Sequence, residues 1–196
     1  MIKRLFDIAA SGLGLLLLSP LLIAVAVWIR LDSRGPVLFR QERVGRFGRP
    51  FMIHKFRTMR VDNAGLQITV GEDARITAAG RFLRASKLDE LPQLWDVLRG
   101  AMSLVGPRPE VPRYVALYPA DLREIVLSVR PGITDLASLE YRDEGAVLAR
   151  AADPERAYVD EVMPAKLALS ARYVREASMT GDLRLILATV RAILRR

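Results

Sequence analysis

The 196-residue chain carries 30 Lys and Arg against 22 Asp and Glu, a formal charge of +8 with a sequence pI near 10.4, so polyanions are its expected partners: nucleic acid, phosphorylated substrates or anionic lipid headgroups. It has no cysteine and a single histidine, His54, which excludes a disulfide framework and makes zinc sites built on either residue untenable; oxygen ligands, suited to magnesium, are left as the way to hold a metal. Hydrophobic residues make up 51% and charged residues 27%, at a mean hydropathy of +0.17, so the two populations must be segregated along the chain.

From Ile8 to Ile29 no residue is charged, and this run of Leu, Ile, Val and Ala is as long as a bilayer core requires. A cleavable signal would show a shorter apolar stretch and a small-residue cleavage site, whereas Trp28, Ile29 and Arg30 close this one. Basic residues flank both ends, Lys3 and Arg4 before and Arg30 and Arg34 after, so the positive-inside rule favours neither orientation. Within the run, Pro20 cannot donate to the Leu16 carbonyl and Ser19 can offer its hydroxyl to a freed carbonyl. A kink is therefore expected at Ser19-Pro20, and a Pro-kinked transmembrane helix and a re-entrant hairpin that enters and leaves on one side both fit.

Pro36 to Phe56 reads as a basic β-hairpin around a Gly- and Pro-containing turn from Gly45 to Pro50. Met59 to Gly80, polar and Gly-containing, reads as a surface loop. A short helix is expected over Pro92 to Arg99, with Leu94, Val97 and Leu98 on one side, Pro92 at its first position and Gly100 at its end. Gly106-Pro107-Arg108-Pro109 must form a rigid, non-helical elbow. Ala120 to Val129 and Pro154 to Ala177 read as helices, the second open to interruption at Pro164. Over Gly181 to Arg196, Leu183, Ile186, Leu187, Val190, Ile193 and Leu194 share one face while Arg184, Arg191, Arg195 and Arg196 occupy the rest, which suits an interfacial helix and a core-packing one equally.

Chemistry concentrates at Asp89 and Glu90. Neighbours entering a helix point about 100° apart, so one carboxylate can attack while the other holds a cation. The helix macrodipole would favour their charged forms, although acidic residues ahead of a helix-opening Pro also mark an ordinary helix start. Arg108, fixed between two prolines, is pre-set to grip a phosphate with its planar fork. Arg84, Lys55 and Arg57 lie in neighbouring segments, and Arg130 opens the turn Arg130-Pro131-Gly132; taken singly, each also reads as a solvated surface charge. Basic groups, two carboxylates and a membrane segment in one small chain suggest a substrate both phosphorylated and lipidic, and a phosphoryl transfer in which positioning and charge neutralisation do most of the catalysis.

Taken together, Ser19-Pro20 in the apolar run, Lys55-Phe56-Arg57-Thr58-Met59, Leu88-Asp89-Glu90-Leu91-Pro92-Gln93-Leu94, Met102-Ser103 with Gly106-Pro107-Arg108-Pro109, and Arg130-Pro131-Gly132-Ile133-Thr134 resemble, in consistent order over nearly the whole chain, the small monotopic phosphoglycosyl transferases of the bacterial sugar transferase family. That resemblance implies an α+β, mostly helical fold. A membrane-embedded re-entrant helix over 1-34 would break at Ser19-Pro20, and a catalytic domain over 35-196 would gather a small β-hairpin and amphipathic interfacial helices around an active site facing the cytoplasm at the bacterial inner membrane. It further implies that Asp89 is the covalent nucleophile, attacking the sugar-bearing phosphorus of a UDP-sugar and releasing UMP before polyprenyl (undecaprenyl) phosphate takes the phosphosugar. Glu90, with Asp89 beside it, would bind the Mg2+ that family members need. Arg84 and Arg108 would hold phosphate, with Lys55, Arg57 and Arg130 as weaker carry-overs; no nucleic acid partner is implied, and a homo-oligomer is compatible.

Two departures stand out. Many relatives carry Gly after Arg-Pro-Gly-Ile-Thr and then a Gln- and Asn-Gly-containing stretch, where this chain has Asp135-Leu136-Ala137-Ser138 and Glu140-Tyr141-Arg142, which leaves the donor sugar open. The multi-helix membrane domain that precedes longer relatives is not seen, so the minimal catalytic form is expected. Two rival readings remain: a non-enzymatic basic membrane protein, which accounts for charge and anchor but for neither the carboxylate pair nor the Pro-bracketed arginine, and a glycosyl transferase that moves sugar alone and releases UDP.

Overall fold

The computed structural model describes residues 1–61, 73–141, 145 and 148–195. Most of the described chain is helical, with two small two-stranded sheets. Helix α1 (Ile2–Asp32) contains an 18-residue window of mean hydropathy 2.4 of which only 11% is buried, so it is long and apolar enough to cross a membrane and is not the core helix of the rest of the chain. Ser19 and Pro20 both lie inside it. The Ser19 hydroxyl donates to the Leu16 carbonyl at 2.8 Å, satisfying the acceptor that Pro20 cannot serve, and the helical hydrogen-bond pattern runs on through the site instead of stopping there.

Strands β1 (Leu38–Val44) and β2 (Pro50–Phe56) form the expected antiparallel hairpin, Leu38 opposite Phe56 and Val44 opposite Pro50. Thr77 then caps α2 (Ala78–Ser86) by accepting from the Gly80 amide at 3.0 Å. The loop expected over Met59 to Gly80 thus ends at Thr77, because Ala79, Gly80 and Leu83 turn a buried face against β2 and α1; positions 62–72 of that loop lie outside the described residues. A short 3₁₀ turn, Leu88–Glu90, leads to α3 (Gln93–Arg99), which ends at Gly100 in the left-handed region (φ 88°), where a Cβ would be strained.

Beyond it, β3 (Ser103–Val105) pairs in parallel with β4 (Gly132–Thr134). The strands cross so closely that a Cβ on Gly106 would stand 2.4 Å from the Arg130 carbonyl oxygen and one on Gly132 2.1 Å from the Gly106 nitrogen, so both positions require glycine. Helices α4 (Pro112–Val115), α5 (Ala120–Leu127), α6 (Leu136–Glu140) and α7 (Pro154–Ala157) follow. A single π turn, Tyr158–Val162, joins α7 to α8 (Met163–Glu176), and this is the interruption expected near Pro164. The last helix, α9 (Met179–Leu194), begins two residues earlier than expected because Ser178 caps it on the Gly181 amide. Its Leu183, Leu187 and Val190 are 41, 55 and 47% exposed, so that stripe is a surface and not core, as an interfacial helix requires.

Both ends of α1 are fastened to this unit. Arg4 donates to the Val97 and Leu98 carbonyls at the end of α3 (2.7 and 3.0 Å), Lys3 pairs with the buried Asp182 of α9, and Asp7 accepts from the Ser103 hydroxyl (2.8 Å) and the Leu104 amide (3.1 Å). Gly12 and Gly14 let Leu98 and Leu94 of α3 approach the helix. At the other end Val25 and Ile29 pack with Phe56 and Leu83, a cluster in which each fully buried apolar side chain contributes about 1.5–3 kcal/mol.

Candidate active site

The 3₁₀ turn that carries Asp89 and Glu90 is aimed by the residue before it. Lys87 ends α2 in the left-handed conformation (φ 58°, ψ 14°), which costs a non-glycine residue on the order of 1 kcal/mol and reverses the chain so that both carboxylates face β2. Opposite them, β2 supplies Lys55 and the Gly106-Pro107-Arg108-Pro109 elbow supplies Arg108. Lys55 Nζ donates to Glu90 Oε1 at 2.8 Å, and Arg108 grips the same carboxylate with Nη2 on Oε1 at 2.7 Å and Nη1 on Oε2 at 3.4 Å. Arg84, one helical turn before Lys87 on α2, donates from Nε to the Thr58 hydroxyl at 2.9 Å.

These residues line one cleft of about 1140 Å³, whose described lining includes nine Arg and Lys side chains against the two carboxylates. A wall of that composition has the charge to complement a phosphate-bearing ligand. The acidic pair is split by its surroundings. Burial raises Glu90, but Arg108 and Lys55 outweigh it and hold the carboxyl well below the usual range. Asp89 goes the other way: burial raises it, Glu90 raises it further, and Lys55, Lys87 and Arg84 pull back without cancelling the shift. Asp89 Oδ1 is buried with no hydrogen-bond partner among the described residues. The macrodipole expected to keep Asp89 readily ionised is therefore overruled by desolvation, since the pair sits in its own turn ahead of α3, largely buried at the cleft floor. Burial likewise lowers the Lys55 ammonium, with Glu90 and Asp89 opposing.

Of the seven residues that the sequence assigned to chemistry, five meet here: Asp89, Glu90, Lys55, Arg84 and Arg108. Arg57 also reaches the wall, but its guanidinium donates to the Pro36 carbonyl at 2.6 Å and to the Ser33 hydroxyl and carbonyl at 2.8 Å each, tying the end of α1 to β2. Arg130 is not brought to the cleft; it donates from Nε to the Gly100 carbonyl at 2.8 Å, behind α3. The divergent stretch, by contrast, does reach the site. Asp135, 1% exposed, caps α6 through Oδ1 on the Ser138 amide (2.7 Å) and accepts the backbone N–H of Arg108 on Oδ2 at 3.3 Å, so it backs the elbow. Arg142, the end of that stretch, and Arg196 lie outside the described residues. Lys87 and Asp135 were missed as site residues; the one hint for Asp135 was its departure from the family pattern.

A carboxylate oxygen without a partner beside a basic cleft suits a hard cation, and magnesium usually takes only one or two carboxylates and completes its shell with substrate phosphates and water. Among the described residues no third acidic or histidine side chain joins the pair, so Asp89 would be the first holder of such an ion, beside Glu90, whose oxygens already accept from Lys55 and Arg108.

The whole chain, residues 1–196, matches the family model described as bacterial sugar transferase. Among its relatives, the UDP-glucose:undecaprenyl-phosphate glucose-1-phosphate transferase of Caulobacter vibrioides is 39% identical over 196 residues, which span 98% of this chain and 69% of that protein. Its namesake from Klebsiella pneumoniae is 40% identical over 194 residues, 96% of this chain but 39% of the relative. A UDP-N-acetylgalactosamine-undecaprenyl-phosphate N-acetylgalactosaminephosphotransferase from Aeromonas hydrophila is 37% identical over 197 residues, 98% of this chain and 44% of the relative. This chain therefore spans less than half the length of several relatives it matches. With the match running from the first residue to the last, and three of the five ordered motifs, those of Lys55, Asp89 and Arg108, meeting at one basic cleft, the chain belongs to the bacterial sugar transferase family.

Proposed function

We propose that this protein transfers a sugar 1-phosphate from a UDP-sugar to undecaprenyl phosphate, forming the undecaprenyl diphosphate-sugar and UMP as a first membrane step of surface glycoconjugate assembly. One observation carries the reading: Asp89 is a buried carboxylate with an unpartnered oxygen at the floor of a cleft walled by basic side chains, while the adjacent Glu90 is already neutralised by Lys55 and Arg108.

In this reading Asp89 attacks the sugar-bearing phosphorus. An oxygen–phosphorus bond forms, the bond to the bridging oxygen breaks, and UMP leaves with that oxygen and the electron pair. A phosphate oxygen of the acceptor then attacks the same phosphorus and the Asp89 carboxylate departs unchanged. Because donor and acceptor use the site in turn, a water-soluble and a lipid substrate need not be bound at once. Arg84 and Arg108 hold the diphosphate, and Lys55 fixes Glu90 so that the charge opposite the nucleophile is set before substrate enters. Asp89, with Glu90 beside it, would hold a magnesium ion, which when bound would supply charge neutralisation for phosphoryl transfer.

The anchoring of α1 supports residence on one side of the membrane. Lys3, Arg4 and Asp7 at its start and Asp32 and Ser33 at its end are bonded to the same polar unit, so immersing the helix leaves both ends on the side of the cleft. We place that side in the cytoplasm, where nucleotide sugars are made. Relatives 37 to 40% identical are named for glucose and for N-acetylgalactosamine donors, so the sugar must be measured. The purified protein in nanodiscs, given undecaprenyl phosphate, magnesium and a panel of UDP-sugars, should release UMP with at least one donor. Release of UDP instead, or of neither nucleotide with any of them, would refute the proposal.

A further inference from the structure

A second cavity of about 240 Å³ opens beside the catalytic cleft and shares Lys87, Glu90 and Arg108 with it. From that charged head it runs between α3, the β3–β4 pair and α9, walled by Leu91, Leu94, Leu139, Ile186, Val190 and Ile193. Its threonines do not make it polar: Thr134 Oγ1 and Thr189 Oγ1 bond one another at 2.6 Å, and Thr189 also donates to the Leu185 carbonyl. Along α9, Ile186, Val190 and Ile193 face the groove, and Val190, 47% exposed, also borders the surface stripe of Leu183 and Leu187. The groove is thus charged at one end, apolar along its length and open at its edge onto a face suited to lipid.

We infer that this groove takes the first isoprene units of the acceptor, with the acceptor's phosphate at Lys87 and Arg108 and the rest of the chain leaving over Val190 into the bilayer. The inference rests on the reading that the acceptor is a polyprenyl phosphate, and charge complementarity selects the occupant. A neutral lipid tail or an apolar face of a second copy would have no use for Lys87 and Arg108, beside Glu90, at the end that meets the cleft, whereas a phosphate with a long hydrocarbon chain matches both ends at once. It also explains how a lipid-borne phosphate reaches a nucleophile at the floor of a polar cleft: the two cavities meet at the residues that hold Asp89's neighbour.

Ile186→Trp and Ile193→Trp fill the groove without touching the cleft, and each half-reaction is read separately in nanodiscs. Exchange of labelled UMP into the UDP-sugar, which needs no acceptor, should stay within about twofold of wild type, while the KM for undecaprenyl phosphate should rise about tenfold or more. Should either tryptophan also abolish exchange, Ile193→Ala and Leu139→Ala replace them; both shorten the apolar wall and should raise the acceptor KM about threefold with exchange intact. An unchanged acceptor KM in variants that retain exchange would overturn the groove assignment and leave bulk phospholipid or another copy of the chain as its occupant. A wild-type protein that shows no exchange while turning over would instead defeat the two-step reading beneath it.

Discussion

Lys55 Nζ stands 2.8 Å from Glu90 Oε1, with the two side chains only 17 and 11% exposed, and this bond joins the β-hairpin to the turn that carries Asp89. Glu90→Gln removes the charge that both Lys55 and Arg108 depend on. A buried pair broken on one side costs about 3–5 kcal/mol, so the variant should unfold at clearly lower denaturant, with turnover reduced on the order of a hundredfold. Lys55→Met combined with Glu90→Gln should regain part of the stability and none of the activity, which chemical denaturation and UMP release measure together.

Asp89 gives the opposite sign. Its folded-state pKa is raised, first by burial and then by Glu90, so its contribution to stability is complete below the unfolded value and is lost as pH rises through the folded one. In metal-free buffer Asp89→Asn should therefore be more stable than wild type at pH 7 and lose that advantage as pH falls into the range of an ordinary aspartate. Turnover of the same variant should drop on the order of 10³-fold or more. Melting curves at several pH values check the first statement and steady-state UMP release the second; a variant less stable than wild type at pH 7 would contradict it.

Asp135 backs Arg108 from a segment that departs from the family pattern. Asp135→Ala removes an N-cap worth about 1 kcal/mol and the acceptor for the Arg108 amide, and Asp135→Asn keeps the cap while weakening that acceptor. Because Arg108 serves donor and acceptor in turn, the alanine variant should raise the KM of both, about tenfold more than the asparagine variant does. An alanine variant that lost stability with both KM values unmoved would mark Asp135 as structural only.

Much of this arrangement was legible because it is written in local chemistry. The hairpin announced itself through Gly45 and Pro50, α3 through Leu94, Val97 and Gly100, and the Arg108 elbow through its two prolines. Helix α2 was not, because Ala79 and Gly80 bury a face too small to produce an apolar rhythm. The β3–β4 pair escaped as well: three-residue strands carry no period, and Gly106 and Gly132 have meaning only when one lies across the other. Asp89's raised pKa is a tertiary property. From the sequence it is a residue near a helix start; in the fold it is a buried carboxylate at the floor of the cleft, and Lys87 turns it there by adopting a backbone conformation that no lysine favours.

The anchoring of α1 predicts that both of its ends lie on one side of the membrane. The chain has no native cysteine, so Ile2→Cys and Arg34→Cys report the two ends of the helix singly. In inverted and right-side-out vesicles both should react with an impermeant maleimide from the same side. Reaction from opposite sides would show a spanning helix and would separate one end from the unit that holds it here.

The most direct test is made with donor alone. Incubating the protein with its UDP-sugar and magnesium, without acceptor, should release UMP and add the mass of one phosphosugar to the peptide that carries Asp89. The adduct should vanish on adding undecaprenyl phosphate and never form in Asp89→Asn. A protein that turns over fully yet stays unmodified under trapping, or carries the phosphosugar on another side chain, would contradict the role given to Asp89.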